Sequence, residues 1–162
     1  MKTDDNRVTD SWRDIIAEKL PLLGHRNWIV VTDMAYPLQS KDGINTLYTD
    51  EPYEKVVKTV AEMIEKAPHI FAHIYRDREL EFLTEDMAPG VSEFRNAVNT
   101  GNVSFVMHEE LIARLDEASR MFNVIIIKTP LTIPYTSTFF ELDCGYWDAE
   151  RQNELEIRIK SR

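Results

Sequence analysis

The run Trp28-Ile29-Val30-Val31 constrains the fold of this chain more than any other stretch. It is short and rich in β-branched residues, with Gly24 upstream and Pro37 downstream, so it reads as a buried strand. Its ends are polar. His25 stands just before it and Asp33 just after it. Imidazole passes protons near neutral pH, and a carboxylate is its usual orienting partner. A loop histidine and a turn-starting aspartate would give the same local pattern.

The rest of the chain supplies partners for that strand. Thr9 or Asp10 can cap a helix that carries Trp12, Ile15, Ile16 and Leu20 at helical spacing and ends at Pro21 and Gly24. Pro37, Lys41-Asp42-Gly43 and Asp50 mark a loop, with a short extended piece at Ile44 to Tyr48. Glu51-Pro52 opens a helix reaching Lys66, with Val56, Val57, Val60, Met63 and Ile64 as its apolar stripe. His69 to Tyr75 is predicted as a strand, Arg76 to Arg78 as a turn, and Glu79 to Leu83 as a third strand pairing back. A short helix over Pro89 to Val98, ended by Asn99-Thr100-Gly101, precedes a strand within Asn102 to Met107. His108-Glu109-Glu110 opens a helix to about Met121. Val124 to Ile127 and Thr138 to Leu142 are core strands, and the alternation of Leu155 to Ile159 suggests an edge strand. Strands alternating with helices predict an α/β fold, three-layered α/β/α around a central mixed sheet.

Composition narrows the function. At 162 residues the natural expectation is one domain, 1–162, with a loose tail at 1–8 and a C-terminal extension at 148–162. The net charge of −9, from 28 acidic and 19 basic residues, argues against nucleic acid and against an anionic membrane face as partners. A neutral ligand such as a sugar suits this balance. The single cysteine, Cys144, permits no intrachain disulfide and no cysteine-type zinc site, and reads as a small buried apolar residue. The polar N-terminus is unlike a signal peptide, and no apolar run approaches a membrane span, so a cytoplasmic location is expected.

Three further groups carry chemistry. His108 lies where a strand gives way to a helix, and ligands of open α/β sheets collect at such carboxyl ends. Pro134-Tyr135-Thr136-Ser137 offers three hydroxyls beside an aromatic ring, which suits a polyhydroxylated ligand. His69 and His73 have the spacing of a helical metal pair, but their strand context does not converge them on one ion.

These pieces occur in the order of a known family. Leu23-Gly24-His25 with Val30-Val31-Thr32-Asp33-Met34-Ala35-Tyr36-Pro37 resembles the LGH … VVxDAxxP signature of the ribose pyranase and fucose mutarotase family. His108-Glu109-Glu110-Leu111 resembles its strand-to-helix histidine, and Pro134-Tyr135-Thr136-Ser137 with Gly145 resembles its terminal PYxNxxL…G segment. The resemblance spans roughly 9–147. It implies a monosaccharide mutarotase or pyranase that opens and recloses sugar hemiacetals without metal or cofactor. It assigns His25 as acid/base, Asp33 as its partner or a sugar ligand, and His108, Tyr135 and the Ser137 position to sugar binding. It also implies a ring-shaped homo-oligomer, a decamer among the candidates, with sites at subunit interfaces. Ser137 stands where the family has an amide, and Met34 and Tyr36 where it has smaller residues. A sugar-binding or regulatory member without turnover is the alternative.

Overall fold

The structure is a computed structural model that describes residues 7–8, 12–98 and 101–162. The expected caps Thr9 and Asp10 and the helix-ending Asn99 and Thr100 lie outside the described residues. The elements run β1 (Arg7–Val8), α1 (Trp12–Lys19), β2 (Trp28–Thr32), β3 (Ile44–Tyr48), α2 (Tyr53–Lys66), β4 (Ile70–Asp77), α3 (Val91–Ala97), β5 (Val103–Val106), α4 (His108–Ala118), β6 (Val124–Lys128), β7 (Thr138–Cys144) and α5 (Ala149–Lys160). Arg7 and Val8, expected in the tail, pair with Leu47 and Tyr48 of β3.

The strands form one sheet in the order β1-β3-β6-β2-β7-β4-β5. Neighbours are parallel except at β7, which runs antiparallel to both β2 and β4. The sheet is therefore mixed, as the sequence predicts. All five residues of β2 are buried, and successive side chains enter opposite layers because a strand alternates its faces. Ile29 and Val31 join Trp12, Ile16, Val56, Val60, Val91 and Phe94 on the face covered by α1, α2 and α3. Trp28 and Val30 join Leu111, Leu115, Ile126 and Phe139 on the face covered by α4. Two buried faces give the three layers.

Local chemistry fixes the joints. The Glu51 carboxylate accepts from Trp12 Nε1 at 2.6 Å and from Arg13, tying α1 to the start of α2. The Arg13 bond holds the Glu51 carboxyl down at about 2. Gly43 leads into β3 where the backbone passes the Ser119 carbonyl too closely for any Cβ.

Four expectations are corrected. Arg76 and Asp77, expected in a turn, are the last two residues of β4. Glu79 to Leu83 is not a strand; Arg78–Phe82 is a 3-10 turn with Leu80 buried and Phe82 exposed. β4 already has β7 on one side and β5 on the other, so no edge is free for a hairpin partner. Leu155 to Ile159 is not an edge strand but part of α5, whose residues are all exposed. The Asp148 carboxylate accepts from Arg151 N at 2.8 Å and caps this helix, and the residues that follow are mostly strong helix formers. Cys144 is half-buried rather than buried.

Candidate functional site

With β7 the sole antiparallel strand in the described sheet, the carboxyl ends of β2, β4, β5 and β6 share one edge with the start of β7. Asp33 follows β2, Asp77 ends β4, His108 follows β5, and Tyr135 to Ser137 precede β7. The fold thus brings Asp33, His108, Tyr135 and Ser137 to one end of the sheet. His25 precedes β2 and sits at the other end, where Arg26 N donates to Leu142 O and the His25 charge acts on Asp143. Five strand residues at ~3.3 Å each separate the neighbourhoods of His25 and Asp33. Within one chain these two side chains are not partners.

The centre of the cluster is His108, the first residue of α4. Its Nδ1 lies 2.9 Å from Asp77 Oδ1, and its backbone N–H donates to Glu79 Oε1 at 3.0 Å. A carboxylate only accepts, so the imidazole donates from Nδ1 and leaves Nε2 for chemistry. The helix N-terminus opposes a positive imidazole, yet the bond to Asp77 prevails and raises the His108 pKa against the effect of burial. Asp77 is fully buried, and its second oxygen, Oδ2, has no partner among the described residues. Burial raises its pKa, with the bond to His108 pulling the other way. Half-buried Asp33 is likewise raised by burial, while His108 and Lys128 draw it down.

Two tyrosines flank the imidazole edge-on. Tyr135 lies 5.4 Å away between ring centroids and Tyr36 lies 6.1 Å away. Tyr36 is buried, and its hydroxyl donates to Gln39 Oε1, whose amide reaches Asp116. The larger residue at this position thus forms a wall under His108. Met34, the other enlarged residue, is exposed. Tyr135 is exposed and holds a φ of +59°, a left-handed conformation unusual for an aromatic residue. Backbone strain of this kind concentrates at ligand sites.

The segment carrying Tyr135 is clamped from below. Buried Tyr53 donates its hydroxyl to Thr136 O and shares a 2.7 Å bond with Thr138 Oγ1. Arg76 Nη2 donates to the same Thr138 oxygen at 3.1 Å. Thr136 Oγ1 donates to Ile133 O. Ser137 is buried, and its Oγ has no partner among the described residues.

Sequence reasoning missed Asp77, Glu79 and the wall role of Tyr36. Asp77 carried a readable signal, since like Asp33 it ends an apolar strand. The other histidines lie elsewhere. His69 Nε2 lies 3.1 and 3.0 Å from the carbonyls of Leu20 and Leu23, and His73 Nε2 lies 2.9 Å from Asp143 Oδ2.

No family model and no curated protein sequence matches the chain. Solved structures do. RbsD of Bacillus subtilis, in complex with D-ribose, matches with a TM-score of 0.52 at 17% identity, over 88% of this chain and 98% of that one. The fucose mutarotase of Streptococcus pneumoniae, in complex with L-fucose, matches with a TM-score of 0.51 at 12% identity, over 80% and 91%. At such identities the likeness establishes a shared α/β fold.

Proposed function

We propose that the cluster around His108 binds a neutral monosaccharide and catalyses the opening and reclosing of its hemiacetal ring, interconverting anomers or pyranose and furanose forms. The observation that carries this reading is the His108–Asp77 pair, with Tyr135 edge-on to the imidazole and Asp33 on the same edge of the sheet, on a fold shared with a ribose-bound and a fucose-bound protein. Ring opening removes the proton of the anomeric hydroxyl, breaks the bond between the anomeric carbon and the ring oxygen, and delivers a proton to that oxygen. Reclosing on either face, or through another hydroxyl, reverses the steps. His108 Nε2 and the Asp33 carboxyl are one proton-transfer pair on the same edge of the sheet. Tyr135 offers a ring for the C–H face of the sugar and a hydroxyl for its oxygens.

His25 enters from a second copy of the chain. Its place at the far end of β2 removes it from its own Asp33, so its assigned acid/base role requires a homo-oligomer in which it reaches a neighbour's His108 cluster. A closed ring would repeat that contact at every interface.

Magnetisation-transfer NMR of D-ribose and L-fucose, with and without protein, tests the reading. Accelerated exchange for at least one sugar, lost in His108→Gln and in His25→Ala, is the expected outcome. Serine at 137, where the resembled family has an amide, keeps a sugar-binding member without turnover as the second reading. Sugar-induced shifts of the His108 resonances without accelerated exchange would establish that second reading instead.

A further inference from the structure

The opposite face of β4 holds a cavity that the chemistry above does not use. Arg76 precedes Asp77 on the strand, so its side chain enters the layer of α2 and α3, away from His108. It is 4% exposed, and its guanidinium lies 5.6 Å from the centre of the Phe94 ring. Nη2 donates to Thr138, but Nε has no partner among the described residues. No carboxylate forms an ion pair with Arg76 among the described residues; its neighbour Asp77 is turned to His108 on the other face.

Arg76 lines a cavity of about 410 Å³, together with Arg95, Asn96, Glu81, Val103 and Phe105. Arg95 donates from Nη1 to the carbonyls of Leu80 and Leu83, at 2.8 and 2.9 Å, and has no carboxylate in ion-pair contact among the described residues. Two arginines thus face one glutamate, in a chain whose net charge is −9. A buried guanidinium with an unused N–H is costly unless something accepts from it. The cavity is of the size that takes a small organic ligand.

We propose that this cavity is an anion site, binding a phosphate group between Arg76 and Arg95, as the free ion or as the monoester of a small polyhydroxy compound. Phosphate has enough acceptor oxygens to engage two guanidinium forks at once, the arrangement in which arginine recognition is strongest. Asn96 supplies an amide for the hydroxyls of an ester. The site lies across the sheet from His108 and does not depend on sugar turnover there.

The arginine Nε–H resonances of ¹⁵N-labelled full-length protein report on it directly. Titration with inorganic phosphate and, separately, with ribose 5-phosphate should move the Arg76 and Arg95 signals together, while unphosphorylated ribose leaves them in place. Tighter binding of the ester identifies it as the ligand class, and equal binding identifies the free ion; both support the site. Calorimetry should show binding weakened about tenfold or more in Arg95→Met, in line with loss of one charge-assisted fork. Exposed Glu81→Gln, which touches no fold contact described above, should tighten it several-fold. Still signals with both phosphates, or affinities unchanged in both variants, would overturn the proposal. So would equal displacement by ribose alone.

Discussion

Nδ1 of His108 and Oδ1 of Asp77 stand 2.9 Å apart, joining the first turn of α4 to the last residue of β4. Asp77 is fully buried and the His108 side chain is 19% exposed, so one end of the pair is anchored in the sheet and the other reaches the surface. This geometry fixes the imidazole tautomer and leaves Nε2 free of Asp77, with the Tyr135 ring edge-on to the imidazole.

Replacing Asp77 with Asn keeps an acceptor for Nδ1–H but removes the charge. The His108 pKa should then fall from its raised value, since the bond to Asp77 is the largest cause of the rise. A histidine Cε1–H titration by NMR measures this. If His108 exchanges protons with sugar, ring exchange should also drop by about 10²-fold, the low end of a positioned acid/base contribution. An unchanged titration midpoint would separate His108 from Asp77 energetically.

The same pair sets a pH dependence of stability. The folded-state pKa values of His108 and Asp77 are both raised, so the native state binds more protons than the unfolded one. The His108 contribution is fully present below its unfolded value of about 6.5 and is lost as pH rises through the folded value. Urea unfolding across neutral and mildly alkaline pH should show wild-type stability declining, with that decline absent in His108→Gln. Sugar exchange should run the other way, increasing with pH as His108 becomes neutral and able to accept a proton.

Tyr53 clamps the segment that carries Tyr135. Tyr53→Phe leaves the buried carbonyl of Thr136 without its donor, which costs about 1–3 kcal/mol. The same change releases a segment whose Tyr135 is held in a strained left-handed conformation. Denaturant unfolding should show the loss, and sugar affinity should weaken beyond what Tyr135 contacts alone explain.

The elements buried on both faces were the most legible. β2 and β6 announce themselves as β-branched runs, and α2 as a stripe of Val56, Val57, Val60 and Ile64. The failures came where local pattern and tertiary need disagree. Glu79 to Leu83 alternates like a strand, but β5 occupies the edge it would have used. Leu155 to Ile159 alternates too, yet capping by Asp148 and helix propensity decide for α5 when no sheet edge competes. At the site, Asp33, His108 and Tyr135 were readable as residues at element ends. Asp77 also ends an apolar strand, but its pairing with His108 spans 31 positions, which local pattern does not show.

Helix α5 buries none of its residues against the domain. Deleting 149–162 should therefore change the unfolding free energy of the domain by less than about 0.5 kcal/mol, as expected for surface changes away from packed features. A larger loss, read by chemical denaturation at low protein concentration, would mean that α5 packs in solution.

The separation of His25 from Asp33 gives the sharpest prediction about assembly. If His25 acts on a neighbour's cluster, then His25→Ala and His108→Gln chains should each be inactive alone but complement one another when mixed in one oligomer. An interface pairing an intact His25 from one chain with an intact His108 from the other rebuilds a whole site. Random assembly of equal amounts would restore about a quarter of wild-type exchange, since each site draws its two halves independently. Co-expressed and co-purified variants, assayed by magnetisation transfer on the sugar that the wild type turns over, provide the measurement. Recovery near zero with mixed oligomers confirmed by mass spectrometry would exclude a site shared between chains, whereas full activity of His25→Ala alone would confine the chemistry to the His108 end of a single chain and leave His25 only the loop before β2.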